Sequence, residues 1–167
     1  MGEVRPACIK ALLGKTGESV VIQLPFRCDY GYNIEVGGAL CANHGCVILS
    51  GVRVGFGGHV FIAPDCGFCT AGHPIDVERR SHGLEYAWPI TVADNVWIGG
   101  AQVMPGIAIG SSAGIGLGNV AAKDIPDNGM VAGNPRRALR PITEEKISRS
   151  YAGQQALSFD KERDRNE

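Results

Sequence analysis

The residues of this 167-residue chain that could do chemistry are four histidines, six cysteines and a scatter of carboxylates. His73 is set apart by its neighbours, Thr70-Ala71-Gly72-His73-Pro74. An imidazole exchanges a proton near neutral pH, so a positioned histidine suits general acid–base work, an effect worth roughly 10²–10⁴-fold in rate. Pro74 confines the residue before it to extended backbone and keeps His73 out of a helix. The alternative reading is a structural histidine satisfied by its surroundings. Asn43 has an amide that can donate to an oxygen where charge develops, or can cap a local turn. Cys66-x-x-Cys69 has the spacing of a redox or metal pair, but neither a second pair nor a βαβ pattern accompanies it. The six cysteines therefore read as reduced, buried, small hydrophobes.

The elements that must position these groups show as a repeat. Val92, Ile98, Val103, Ile109, Ile115 and Ala121 follow one another at steps of six, five, six, six and six residues. Earlier, Val36, Ala42 and Ile48 are six apart, and so are Phe56, Ile62 and Phe68. A step of six is neither a helical period nor simple alternation. It fits short parallel strands joined by tight turns, three strands to a triangular coil, with stacked coils sharing one core. Small residues after many of these positions let the chain bend. His73 then lies where the repeat stops and a charged loop, 72–88, protrudes. Arg5 to Gly14 reads as a short helix with Cys8, Leu12 and Leu13 as its apolar residues. Pro135 to Ser150 reads as a return strand or loop followed by a helix from near Thr143, with a polar tail after Tyr151.

Composition narrows the class. The length fits a single domain, 1–167, divided into a helical segment at 1–20, the repeat at 21–142 and a C-terminal helix and tail at 143–167. A formal net charge of −1 gives no reason to expect nucleic acid or a membrane surface as partner. No apolar run is long enough to span a bilayer, and Met1 to Ala11 lacks the order of a signal peptide. A cytoplasmic location is expected.

Several segments carry a family resemblance: Phe26-Arg27-Cys28-Asp29-Tyr30-Gly31-Tyr32-Asn33-Ile34, Thr70 to Pro74, Gly83-Leu84-Glu85-Tyr86, Asn95-Val96-Trp97-Ile98-Gly99-Gly100, Ala122-Lys123-Asp124-Ile125-Pro126 and Val131-Ala132-Gly133-Asn134-Pro135. Together they resemble the maltose and galactoside O-acetyltransferases from about Gly17 to Ile142. The resemblance implies an all-β, left-handed parallel β-helix of hexapeptide repeats with a protruding loop and short terminal helices. It implies a homotrimer with active sites between subunits, acetyl-CoA as acetyl donor and a small sugar such as maltose, glucose or a galactoside as acceptor. It also implies site roles. His73 is the base. Asp29, Asn43 and Glu85 meet the acceptor, and Asn43 also faces the thioester. Trp97, Gly100, Leu117, Ala122, Lys123, Arg137 and Arg140 line the coenzyme path, the cations meeting its nucleotide end. Zinc carbonic anhydrases share the fold, but their pair of histidines five residues apart is absent, so no metal is expected.

The match has departures. These enzymes carry a longer helical N-terminal segment, most of which the chain begins too late to include. The stretch from Ile98 to Val103 is one residue short, which a bulge or a tightened turn must absorb. Leu117 and Ala122 replace a small residue and a hydroxyl, and Gly51 replaces an acidic acceptor contact. A second function therefore stands beside the enzyme: a catalytically weak β-helix trimer that binds coenzyme A or serves a structural role.

Overall fold

The computed structural model describes residues 4–134 and 137–143, without the side chains of residues 4–6 and 140. The expected C-terminal helix from 143 lies outside the described residues, apart from its first position.

The hexads fold into a parallel β-helix with three faces, which the chain visits in turn. The first face stacks Ser19–Ile22, Ala39–Ala42, Val60–Ile62, Trp97–Ile98, Gly114–Ile115 and Gly129–Ala132. The second stacks Arg27–Cys28, Val47–Leu49, Gly67–Cys69, Gln102–Val103 and Val120–Ala121, and the third Ile34–Val36, Val54–Phe56, Ile90–Val92 and Ala108–Ile109. The pairing is in register, for example Ala42↔Ile62↔Ile98↔Ile115↔Val131. Each hexad aliphatic thus stacks on its counterpart one coil below. Every one of these twelve positions is buried, with at most 3% of its surface exposed. Phe56 and Phe68 meet edge to face across the core at 5.2 Å, worth about 0.5–1.5 kcal/mol beyond their burial. At the last coil the expected return strand forms: Arg137–Pro141 pairs antiparallel with Gly129–Ala132 and ends the parallel stack.

The short step from Ile98 to Val103 is absorbed in a turn. In the coil below, Ile62 reaches Phe68 through Ala63-Pro64-Asp65-Cys66-Gly67, and in the coil above, Ile115 reaches Ala121 through as many, whereas Ile98 reaches Val103 through one fewer. Between them, Ile98 pairs with Ile62 and Ile115, and Val103 pairs with Phe68 and Ala121. Both strands keep their register, so the missing residue comes out of the turn at Gly99-Gly100, where Gly100 has φ +34.

One expectation is refined by the structure and one needs correction. The N-terminal helix spans Val4–Leu12, and its buried side is Ile9 and Leu13, one turn apart, while Cys8 and Leu12 are exposed. The helix presents its 9 and 13 positions to the end of the β-helix, which turns position 8 to solvent. The cysteines do not share one environment either. Only Cys46 and Cys66 are buried; Cys28, Cys41 and Cys69 are half-buried and Cys8 is exposed. Successive residues of a strand alternate between inside and outside, so Cys66 points into the core and Cys69 outward, and the pair shares no face. Burial, with the neighbouring Cys66 thiol, pushes the Cys46 thiol up to about 12.

Candidate active site

The loop at 72–88 is a built element. Ala71–Gly72 pairs antiparallel with Tyr86–Ala87, giving a ribbon that leaves the corner between the second and third faces. At its tip, Asp76 caps the short helix Val77–Ser81 by accepting the Arg79 amide at 2.9 Å. The Arg80 guanidinium donates to the carbonyls of Pro74 and Ile75 at 3.0 and 2.8 Å and holds the tip onto the first strand. Trp88 N–H donates to the Thr70 carbonyl at 2.8 Å and closes the base.

His73 is held on this ribbon through its ring Nδ1. Nδ1 lies 3.2 Å from the Leu84 carbonyl oxygen. A carbonyl only accepts, so Nδ1 carries the hydrogen and Nε2 of the neutral ring keeps its lone pair. Nε2 lies 3.4 Å from Glu85 Oε1, and both side chains are more than half exposed. The neutral ring is therefore set to accept a proton at Nε2, and the imidazolium so formed faces a carboxylate. The antiparallel pairing produces this geometry, because it brings 84–85 alongside 73.

Asp29 sits at the same corner, on a lower coil. Its Oδ1 accepts hydrogen bonds from the Tyr30 amide at 2.8 Å, the Ser50 amide, and the Ser50 hydroxyl at 3.0 Å. Partial burial pushes the Asp29 carboxyl up, but these hydrogen bonds outweigh it and hold the group below the usual carboxylate range. Asp29 is a charged bracket between two coils, with Oδ1 committed to the protein. Ala122 and Lys123 are exposed at this corner on the uppermost coil.

The remaining expected residues lie on the opposite edge of the second face. Asn43, Ala63, Gly99 and Gly116 form one column, each donating its amide to the first-face strand of the coil above. Asn43 Oδ1 accepts the His44 amide at 2.9 Å, which commits the amide oxygen and leaves donation to Nδ2. Trp97 is 43% exposed beside Phe61, to which it is paired. Leu117 is 74% exposed, and its Cδ2 would lie 3.2 Å from a Cβ placed on Gly100. Arg137 is exposed on the return strand; the side chain of Arg140 is outside the description. Within one chain, the structure joins His73 with Glu85, puts Asp29, Ala122 and Lys123 at their corner, and sets Asn43, Trp97, Gly100 and Leu117 apart at the other. Sequence reasoning missed the Leu84 carbonyl and the Ser50 bracket. The first is a main-chain group with no residue signature, and the second is a serine that pairs only once coils stack.

Comparison with known proteins decides the family. A Saccharomyces cerevisiae protein provisionally named an acetyltransferase is 53% identical over 138 residues, 82% of this chain and 70% of that protein. The chain belongs to the maltose and galactoside O-acetyltransferases, which are built on hexapeptide repeats. A maltose O-acetyltransferase from Clostridium difficile superposes with a TM-score of 0.82 at 42% identity, over 84% of this chain and 75% of that one. A galactoside acetyltransferase in complex with coenzyme A superposes with a TM-score of 0.84 at 37% identity, over 86% of this chain and 72% of that one. No protein-family model matches the chain. Among the described residues no cluster of side chains could hold a metal ion, and no helix is long and apolar enough to cross a membrane.

Proposed function

We propose that this acetyltransferase moves the acetyl group of acetyl-CoA to a hydroxyl of a small sugar, with His73 as general base. The observation that carries the reading is the division of labour on the His73 ring: Nδ1–H is spent on the Leu84 carbonyl, leaving the Nε2 lone pair open beside Glu85. The acetyl donor supplies a thioester, and the chain supplies the rest. Nε2 takes the proton of the attacking hydroxyl as its oxygen bonds to the thioester carbonyl carbon, and the imidazolium returns that proton to the coenzyme A thiolate as the carbon–sulfur bond breaks. Glu85 steadies the resulting imidazolium, a role besides the acceptor contact expected for it. The Nδ2 group of Asn43 donates where negative charge develops on oxygen. Asp29 offers the sugar its second carboxylate oxygen.

His73 and Asn43 stand on opposite edges of one face, so a complete site needs both corners brought together by neighbouring copies. A closed homotrimer, in which one protomer's ribbon meets the other corner of the next, does this with a single repeated interface. The coenzyme fits this chain's residues: Gly100 and Gly116 leave the backbone bare at one corner, and Lys123 and Arg137 are exposed cations for its phosphates. Arg140 and Ala122 belong to the same path. The free thiols suit a cytoplasmic location.

A thiol-release assay with acetyl-CoA and a panel of acceptors tests the substrate. Release stimulated by maltose, glucose or galactosides, and not by amino analogues, is the expected result. Release stimulated only by amines would overturn the sugar hydroxyl as nucleophile.

A further inference from the structure

The corner that carries His73 has a feature that the reaction described above leaves unused. The pairings Val103↔Phe68 and Val103↔Ala121 set Cys69, Met104 and Ala122 in one column, and Thr70, Pro105 and Lys123 in the next. The base leaves this corner at the level of Thr70, and Lys123 stands two coils higher. Adjacent strands are about 4.8 Å apart, so the interval is about 10 Å, well within the reach of a pantetheine arm. The residues that show in it are apolar. Met104 is 42% exposed and Trp88 59% exposed. The Trp88 indole leans on Gly106, where an added Cβ would lie 3.2 Å from its Cε3 and 3.4 Å from its Cβ. Its backbone is fixed on both sides, by Trp88 N–H to the Thr70 carbonyl at 2.8 Å and by Gly106 N–H to the Trp88 carbonyl at 3.3 Å. The ring is thus held in place while more than half of its surface is exposed on the single chain, and an apolar group lying on it would bury that surface.

We propose that Trp88, with Met104 at the same corner, is the wall along which the pantetheine arm of the coenzyme lies between His73 and Lys123. The inference rests on the reading above that His73 is the base and that Lys123 meets the nucleotide. The occupant follows from the sequence of surfaces: a base at one end, a cation at the other, and between them a strip that suits the methylenes and geminal methyl groups of pantetheine. Trp88 is on this account a positioning residue.

Three donors separate the parts: acetyl-CoA, S-acetylpantetheine, which lacks the nucleotide, and S-acetyl-N-acetylcysteamine, which also lacks the pantoyl unit. Trp88→Ala is expected to raise KM about tenfold for the first two, the loss of one well-packed contact, and to leave the third and all three kcat values near the parent's. Trp88→Phe recovers most of the loss. Lys123→Ala raises KM for acetyl-CoA alone. A Trp88→Ala penalty equal on all three donors, or on none, overturns the proposal. If Lys123→Ala behaves as expected and Trp88→Ala is silent, the wall fails and the coenzyme reading stands. If both are silent, that reading fails too. A second readout needs no turnover: in a calorimetric titration, Trp88→Ala is expected to weaken coenzyme A binding about tenfold, and an unchanged affinity contradicts the proposal.

Discussion

The β-helix and the ribbon that interrupts it are held by different forces. In the coils, the inward side chains stack in register with almost no exposed surface. Their stability comes from apolar area removed from water, repeated coil after coil. Along the ribbon, every residue from Ile75 to Tyr86 is exposed, and order comes from a few hydrogen bonds: Asp76 on the tip helix, Arg80 on two carbonyls, His73 on Leu84. The core can therefore be weakened without touching the chemistry, and the ribbon can be disturbed without unfolding the core. A scaffold with surplus burial can carry an exposed element whose polar groups stay free for a substrate.

The sharpest way to break that contrast is in the core. Ile98 is fully buried and paired on both sides. Ile98→Ala is expected to cost about 2–5 kcal/mol in a denaturant titration, while activity per folded molecule stays close to the parent's. A proportional loss of both would show that site and core are not separable. A smaller effect is expected at the ribbon tip, where Asp76→Ala removes a helix cap worth about 1 kcal/mol. Global melting should be unchanged, and hydrogen exchange should quicken at residues 77–82; a drop in global melting temperature would make the ribbon part of the cooperative core. The smallest effect is at Asp29, which links two coils through charge. Its folded pKa is lowered, so its stabilisation is present above the unfolded value near 3.8 and is lost as pH falls through the folded value. Asp29→Asn should flatten the acid limb of the stability curve and lower stability slightly at neutral pH. An unchanged acid limb would contradict the bracket role.

The same contrast decided what could be read from the sequence. The six-residue step gave the inward position of all twelve marked aliphatics and aromatics, because each coil repeats one physical problem: a strand, a bend, a side chain facing in. It also placed the compensation for the short Ile98–Val103 step in a turn or bulge, since a slip in either strand would have turned side chains outward. The ribbon has no period, so its antiparallel pairing, and with it the Leu84 and Glu85 contacts to His73, had no signature. Nor did the spacing show that Asn43 and His73 occupy opposite edges of a face, because the interruption at 72–88 hides the count of corners. At the N-terminal helix, Cys8 and Ile9 are both apolar, and only docking on the first coil selects position 9 for burial.

The central claim is that His73 Nε2 removes the acceptor's proton. The most direct test is turnover of His73→Ala against the parent, with acetyl-CoA, a sugar that the parent accepts and matched melting curves. An unchanged melting temperature and a fall of roughly 10²–10⁴-fold in kcat/KM are expected. Acetylation by the variant at the parent's rate would contradict it.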